Sequence, residues 1–481
     1  MKKLTALILT LIIVLSMGMG VLAAESSISV NPTDTHTYDI YQIFKGEVNG
    51  KEFTGSLEWG RNGVGQEGEL VTQDFLDELM DVNSLDDKAQ LVKIEEFVNF
   101  SSTPYGKVSA GASLVAPTGY YLFVDKGVAN GNGGFVVPDN DSKSLFVVQV
   151  VGPTTISPKK GEVTSEKKVK DKNDTDGTVT DWQDSADYDI GDEIPFLLKG
   201  TVAGDYANYE SYYYAFHDQL EDTLDFDSDS VVVKVDGTQI TSGYTILDAD
   251  HTDGCTFEVE FTNLKAIPEV KAGSVITVEY TAVLKENAHH GAIGNNNIMH
   301  VVYSNNPNAG GSGEKGETKD DKVVVFTYKV VVNKTDEHNN ALPGAGFTLY
   351  KKNPAGTYDQ VGDEIKGDAM TQFVWLGLDD GDYKLSETTT PDGYNKIKDI
   401  EFTITADHAV LSDNPNLISL DGGDLEAGHA ATGAIQTTVV NKSGATLPET
   451  GGIGTKIFYV LGAGLMIVAV VAWVTRRRMD K

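Results

Sequence analysis

The C-terminal tail constrains this chain more than any other stretch of the sequence. An apolar run from Ile457 to Val474 is followed at once by Arg476, Arg477 and Arg478. About 17–25 apolar residues in a helix are enough to cross the hydrocarbon core of a membrane. Basic residues directly behind such a span hold that end of the chain in the cytoplasm. The tail therefore predicts a C-terminal transmembrane helix in the precursor, with all preceding residues outside the cell.

The N-terminus has the pattern of a secretory signal peptide, residues 1–23. Two lysines precede an apolar core that ends in small residues. Val21-Leu22-Ala23 fits cleavage after Ala23, with Ala24 as the alternative. Exported chains are free to form disulfides, but this one has a single cysteine, so none can form within the chain. That residue, Cys255, lies in the strand-like stretch CTFEVEF and is predicted to be a small core residue.

Composition excludes several classes of function. Acidic residues outnumber basic ones by 71 to 38 over 481 residues, a formal net charge of −33, which argues against nucleic acid as a partner. No phosphate-binding loop, hydrolytic triad or cofactor motif is present, so we expect no cofactor and no enzyme in the turnover sense. His289-His290 and the acidic stretch Asp248–Asp253 lack the spacing of a metal loop, so no metal site is predicted.

The chain divides into three units with few amphipathic helices, and its fold class is predicted to be mostly β. We expect tandem Ig-like β-sandwich domains, the first carrying added short helices. The one good helical region runs from Thr72 to Val98 and is expected to break near Asn83. The predicted ranges are an N-terminal domain at 24–153, a linker at 154–165, a middle domain at 166–307, a linker at 308–322, a third domain at 323–446 and the tail at 447–481.

The tail begins with LPETG, formed by Leu447, Pro448, Glu449, Thr450 and Gly451. This motif, the apolar span and the basic end, in that order, resemble the cell-wall sorting signal of Gram-positive surface proteins. The resemblance implies that a sortase cysteine cuts between Thr450 and Gly451. It then holds the Thr450 carboxyl as a thioester and passes it to an amine.

The third unit contains NKTD, LPGAGFTLY and YKLSETTTPDGY and resembles the collagen-adhesin B-type Ig-like domain. That resemblance implies an intramolecular isopeptide bond between Lys334 and Asn441, assisted by Glu387. Lys334 follows Val330 and Val332 at period two, which predicts that it faces the core.

Burial explains why these residue types are needed. A desolvated lysine loses its preference for the charged form, so its pKa falls and a free amine becomes available. The amine attacks the asparagine side-chain carbonyl. A protonated carboxylic acid polarises that amide and relays protons as ammonia leaves.

The second unit contains EKKVKD, YDIGDEIPFLLKGTV, YAFHDQL and GNNNIMHVVYSNNP. It resembles the isopeptide-forming middle domain of Gram-positive backbone pilins, which implies a bond between Lys167 and Asn297 with Asp218 as the acid. Strand alternation favours Lys167 over Lys168, because Val169 shares its face. Alternatives remain open for the asparagine and the acid: Asn295, Asn296, Glu258 and Glu279.

The connector between the first two units, TTISPKKGE, resembles the pilin motif, whose lysine resolves the sortase thioester. Lys159 is the match, immediately after Pro158; Ser157 replaces the more familiar aromatic, and Lys160 is the alternative. The first unit resembles the N-terminal domain of the same pilins through THTYDIYQIFKGEV and SLEWG, but it contains no convincing bond trio.

These resemblances predict the backbone subunit of a sortase-assembled pilus, joined head to tail through Lys159 and Thr450. The implied partners are a pilin-class sortase, a housekeeping sortase, identical subunits, minor pilins and peptidoglycan. The alternative is a monomeric wall-anchored adhesin or a minor pilin at the base or tip. A usable lysine at position 159 distinguishes the two.

Overall fold

The computed structural model covers most of the chain outside its two ends. The predicted signal peptide, both linker lysines Lys159 and Lys160, and the whole LPETG motif lie outside the described residues. The described ranges are 24–49, 52–53, 57–82, 93–130, 134–158, 161–248, 253–307, 314–426, 428–444 and 453–479.

The first unit contains a six-stranded sheet, a three-stranded sheet and a two-stranded hairpin. One buried core combines residues of the two larger sheets, and a second packs against the six-stranded sheet. The stretch THTYDIYQIFKGEV contains a strand, Thr37–Lys45, in which Tyr38, Ile40 and Ile43 are fully buried. Helix α1 (Gln73–Val82) covers the start of the predicted helical region; the predicted break near Asn83 lies outside the described residues. The strands are β1 Glu25–Val30, β2 Thr37–Lys45, β3 Val48–Asn49, β4 Glu52–Phe53, β5 Glu58–Trp59, β6 Gly106–Ser109, β7 Ser113–Pro117, β8 Gly119–Ala129, β9 Phe135–Val136, β10 Leu145–Val150 and β11 Thr154–Ile156.

The second unit is a sandwich of two mainly antiparallel sheets. One sheet has the strand order β12-β14-β20-β16-β17. The other has the order β13-β23-β21-β15-β19-β18, with β22 paired to β21. The strands are β12 Ser165–Val169, β13 Ser185–Asp187, β14 Glu193–Thr201, β15 Tyr214–Leu220, β16 Leu224–Val235, β17 Thr238–Ile240, β18 Thr245–Leu247, β19 Phe257–Phe261, β20 Val275–Leu284, β21 Asn295–Ser304, β22 Lys315–Glu317 and β23 Asp321–Phe326. Aromatic residues including Phe196, Tyr214 and Phe216 fill the space between the sheets.

The boundary between the second and third units differs from the prediction. Strand β23 pairs with β21 and β13 of the second unit, so the predicted linker at 308–322 and the predicted start at Val323 are wrong. Val323 and Val325 enter the core of the second unit, whereas Val324 and Phe326 enter that of the third. A strand with apolar residues on both faces serves both cores, and the sequence pattern alone does not assign it to either.

The first linker is also shorter than predicted. Thr154–Ile156 forms β11, which pairs in parallel with β1 inside the first unit. Val163 is fully buried in the core of the second unit. Strand pairing and core packing therefore use residues at both ends of the predicted linker 154–165.

The third unit places its first and last strands side by side. Strand β24 lies between β27 and β31, and it pairs in parallel with β31. The second sheet has the order β26-β25-β28-β29-β30. The strands are β24 Tyr328–Asp336, β25 Gly346–Lys352, β26 Tyr358–Lys366, β27 Gln372–Leu378, β28 Gly381–Thr389, β29 Ile400–His408, β30 Leu417–Asp421 and β31 Ala434–Asn441. The predicted mostly-β class, with tandem sheet-built domains, is confirmed.

The tail contains helix α2 (Ile453–Met479). Apolar side chains along it, such as Leu461, Leu465 and Ile467, are more than half exposed. Within the described part of the chain, no helix is long and apolar enough to cross a membrane. The side chains of residues 453–459 and 474–475 lie outside the described set, so the span from Ile457 to Val474 stays a prediction.

Candidate cross-linking sites

Strand β12 directs Lys167 into the sandwich of the second unit. Lys167 and Val169 are both fully buried, as their period-two spacing predicts. Lys168 points to the other side, where its ammonium contacts Asp184 and lies 3.4 Å from Glu166. Of the two lysines, Lys167 is therefore the one that the fold places in the interior.

Four polar side chains, Lys167 among them, meet at this site. Its Nζ donates to Asp218 Oδ1 at 2.6 Å and to the Tyr280 hydroxyl at 3.2 Å. That hydroxyl donates to Asp218 Oδ2 at 2.5 Å and accepts from Asn297 Nδ2 at 2.7 Å. Lys167 and Tyr280 belong to one sheet, and Asp218 and Asn297 to the other. The site therefore lies between the sheets, away from solvent.

The amide of Asn297 is only partly satisfied. Its Oδ1 atom is buried and has no hydrogen-bond partner within the described residues, so the carbonyl is held in an apolar site without a donor. Asn295 bonds instead to the backbone of His289 and Val325, and Asn296 to Glu221. Among the three neighbouring asparagines, the fold brings Asn297 to the lysine site.

The alternative acids lie elsewhere. Glu279 accepts from Lys234 at 2.6 Å, and Glu258 lies 3.7 Å from the His217 ring. Asp218 is the carboxylate that contacts Lys167.

Burial sets the charge balance at this site. It lowers the pKa of Lys167 to about 8, although the neighbouring Asp218 carboxylate opposes the change. Burial also raises the pKa of Asp218, with Lys167 opposing. Both shifts favour the pair in which the amine and the acid are neutral. That is the protonation state in which an amine can act as a nucleophile and an acid can donate a proton.

The third unit contains a related arrangement on adjacent strands. Lys334 lies opposite Val439 in the β24–β31 pairing, so Asn441, two residues further on, shares its face. The Asn441 amide donates to Glu387 Oε1 at 2.8 Å. Lys334, Glu387 and Asn441 are all at most 1% exposed.

The polar atoms of this second site are held from several directions. The Lys334 ammonium donates to the backbone carbonyls of Thr335 at 2.9 Å and Val439 at 3.2 Å. Glu387 Oε2 accepts from the Ile397 amide at 2.9 Å. Asn441 Oδ1, like Asn297 Oδ1, is buried without a hydrogen-bond partner in the described chain. Burial lowers the pKa of Lys334, with Glu387 and Asp336 opposing.

Sequence reasoning missed Tyr280 and misplaced Cys255. Tyr280 is an inward position of β20, between Val278 and Ala282, and this alternation could have identified it as a polar group in the core. Cys255 is wrongly predicted as a core residue: it is only partly buried, because β19 begins at Phe257 and Cys255 lies in the preceding loop.

Comparisons with known proteins agree with this architecture. The family described as a prealbumin-like fold domain (SpaA) matches residues 328–415, and the LPXTG cell wall anchor motif matches residues 439–481. The trypsin-resistant surface T6 protein of Streptococcus pyogenes is 23% identical over 414 residues, covering 73% of this chain and 74% of that protein.

The solved structure of a backbone pilin shows the same fold. The T6 backbone pilin of Streptococcus pyogenes, a modular three-domain structure, aligns with a TM-score of 0.53 and 15% identity over 89% of this chain and 100% of the pilin. The full-length major pilin SpaD of Corynebacterium diphtheriae aligns with a TM-score of 0.47 and 17% identity over 88% and 98%. The resemblance to backbone pilins and the wall-anchored location predicted from the sequence are confirmed.

Proposed function

We propose that this chain is the structural backbone subunit of a covalently polymerised, wall-anchored pilus. The observation that carries the proposal is the pair of buried lysine–acid–asparagine sites. In each site the lysine lies on the first strand of its unit. Similarity to the T6 protein along most of the chain supports it.

Each site is suited to forming one intramolecular isopeptide bond. In the middle unit the Lys167 ammonium first passes a proton to Asp218, with which it shares a 2.6 Å contact. The free amine attacks Cγ of Asn297. A new N–C bond forms and the C–N bond to the amide nitrogen breaks. The proton held by Asp218 goes to that nitrogen, which leaves as ammonia, and the attacking nitrogen gives one proton back to Asp218. Lys334, Asn441 and Glu387 carry out the same exchange in the third unit.

The bonds lie where a pulled fibre carries its load. In the third unit, β24 and β31 are the entry and exit strands and lie side by side. A covalent bond between Lys334 and Asn441 takes the force that would otherwise shear their hydrogen bonds. It also restricts the unfolded chain as a disulfide does, an effect of about 2–4 kcal/mol.

Polymerisation joins one subunit to the next through the tail. A pilin-class sortase cleaves after Thr450 and holds its carboxyl as a thioester, which the Lys159 amine of another subunit resolves to an amide. A housekeeping sortase passes the finished fibre to a peptidoglycan amine, and minor pilins join by the same chemistry.

Replacing Lys159 tests polymerisation. We expect Lys159→Ala to reduce the ladder of high-mass species in boiled wall extracts to monomer, because no amine remains to resolve the thioester. Lys160→Ala is the matched control and should keep the ladder. If the ladder is lost only with Lys160→Ala, the nucleophile is Lys160. A ladder that survives the double replacement contradicts the pilin-motif role. The absence of a ladder in the native protein would favour the monomeric wall-anchored adhesin.

Replacing Glu387 tests the third-unit bond. We expect Glu387→Ala to leave a folded unit that keeps the mass of one ammonia, because Asn441 loses the acid that holds its amide at 2.8 Å. The variant should melt at a lower temperature and be cut faster by trypsin. Glu401→Ala, at an exposed position of β29, should still lose the ammonia. Intact-mass analysis that finds no ammonia loss in the unmutated protein refutes the bond.

A further inference from the structure

The outer face of the second unit carries a mixed cluster of nitrogen, sulfur and oxygen donors. His217 on β15 lies directly opposite Glu258 on β19 in the antiparallel pairing. Because Phe216 and Asp218 point inward, His217 and Glu258 share the opposite face of the sheet. Asp253 and Cys255 lie in the segment that leads into β19. This cluster is separated from the Lys167 site by the sheet itself.

The donor atoms converge. His217 Nδ1 lies 2.9 Å from Asp253 Oδ2 and 3.7 Å from Glu258 Oε1. Cys255 Sγ lies 3.5 Å from Glu258 Oε1. One ligand atom from each of the four residues lies within 4.8 Å of all the others. We propose that His217, Asp253, Cys255 and Glu258 form a binding site for a divalent transition-metal ion, with Zn²⁺ the best match.

The spacing suits a tetrahedral ion. Zn²⁺ binds nitrogen and oxygen at about 2.0–2.2 Å and sulfur at about 2.3 Å, which places tetrahedral ligands about 3.3–3.8 Å apart. Two of the three separations given above, 3.5 and 3.7 Å, fall in that range. The third, 2.9 Å to Asp253, would lengthen by a small rotation of its half-exposed side chain.

The histidine is held in place for this role. His217 is nine-tenths buried, and its Nδ1 atom faces both Asp253 and Glu258. Its ring stacks on His300, with centroids 5.1 Å apart and planes 11° apart, so its orientation is fixed. Two carboxylates face Nδ1, which carries at most one proton. A single N–H proton can form a good hydrogen bond with only one of the two carboxylates. A metal cation at this point could bind both carboxylates, the imidazole nitrogen and the sulfur.

The donor types select the ion. Imidazole and thiolate favour Zn²⁺ and its neighbours over Ca²⁺ and Mg²⁺, which prefer oxygen ligands. Binding replaces the thiol proton of Cys255, which is released to solvent as the metal–sulfur bond forms.

Cys255 is the single cysteine of the chain, so its alkylation reports on this site alone. The test uses the wall-released protein, treated with chelator and then given ZnCl₂. We expect one equivalent of Zn²⁺ to slow alkylation by iodoacetamide at least tenfold by intact mass, whereas CaCl₂ leaves the rate unchanged. Co²⁺ in place of Zn²⁺ should give a thiolate charge-transfer band.

Variants separate this site from other metal-binding positions. Cys255→Ser and His217→Gln should each weaken Zn²⁺ affinity more than about tenfold, since even outer-shell changes cost about 10–100-fold. His289→Gln is the matched control: its imidazole also faces a carboxylate, Glu221 at 3.3 Å, and its loss should leave the affinity unchanged. Sub-stoichiometric binding, or full affinity in the folded Cys255→Ser protein, overturns the proposal.

Discussion

Asp218→Ala is expected to yield a folded middle unit that keeps the ammonia which the native unit loses, so that its mass equals the mass calculated from its own sequence. Asp218 is fully buried and is the carboxylate in contact with both the Lys167 amine and the Tyr280 hydroxyl. Without it, the lysine has no base to take its proton and the leaving amide nitrogen has no acid. Intact-mass measurement of the purified protein reads the result directly.

The same variant should be much less stable. Loss of a cross-link worth about 2–4 kcal/mol lowers the melting temperature by about 2–4 °C per kcal/mol in a unit of this size. The unreacted Lys167 adds to the loss, because a buried amine without its acid is poorly solvated. We therefore expect a drop of about 4–16 °C in the transition of the middle unit by calorimetry.

Two control variants test whether the effect belongs to the Asp218 carboxylate or to other groups near the site. Glu279→Ala removes a carboxylate bound to Lys234 at 2.6 Å and should still lose the ammonia. Tyr280→Phe removes the hydroxyl that holds Asn297 at 2.7 Å but leaves the acid, so the bond should form more slowly yet to completion. If Asp218→Ala loses its ammonia and Glu258→Ala does not, the acid is Glu258.

Local alternation was enough to place the lysines of both sites, together with the acid and the asparagine of the third unit. Lys334, Glu387 and Asn441 follow apolar residues at period two, and Lys167 precedes Val169 at the same spacing. All four are buried, as that spacing predicts. The pattern along one strand defines which face a residue occupies, and one face of a sandwich strand is the core. The predicted strands that carry these residues were therefore reliable.

Contacts between distant strands could not be predicted in this way. Tyr280 joins the middle site only because β20 and β15 lie in facing sheets. The start of the third unit was misplaced because β23 is apolar on both faces. Cys255 and His217 are far apart in sequence and meet through the pairing of β15 with β19. Each of these depends on tertiary pairing, about which a single strand carries no information.

The contact between the second and third units could not be predicted from the sequence either. It is centred on a lysine that no motif identified. Lys351 on β25 donates to Asp189 at 2.7 Å and to Asp174 at 3.2 Å, both in the second unit. It also contacts Asp379 of its own unit. Asp379 is fully buried, and its amide donates to Asp189 at 2.9 Å. One ammonium thus holds together three carboxylates from two units.

Lys351→Met should uncouple the two units. The replacement keeps the apolar stem but leaves Asp379, Asp189 and Asp174 facing one another without a cation. Removing one partner of a buried ion pair costs about 3–5 kcal/mol, because the remaining charge is left uncompensated. We expect calorimetry to resolve two transitions at lower temperature, and proteolysis to cut between the units sooner than in the native protein.

The stability loss caused by Lys351→Met should depend on pH, because the carboxylates around Lys351 can be protonated. Burial raises the pKa of Asp379 well above its ordinary value, and raises that of the nearby Asp192 to about 6. An acid whose pKa is raised by folding favours the folded state at low pH, and this contribution is lost as the pH rises through the folded-state pKa. The loss caused by Lys351→Met should therefore be smaller near about pH 5 than near about pH 7.5.

Two further variants complete the test of Lys351→Met. Lys352→Met removes the next lysine, which is more exposed and bonds to Asp382 at 3.0 Å. Such a surface pair contributes at most about 1 kcal/mol, so this variant should melt nearly as the native protein does. Adding Asp379→Asn to Lys351→Met removes one uncompensated charge and should restore part of the lost stability. If Lys351→Met and Lys352→Met melt alike at both pH values, the buried ammonium does not hold the units together.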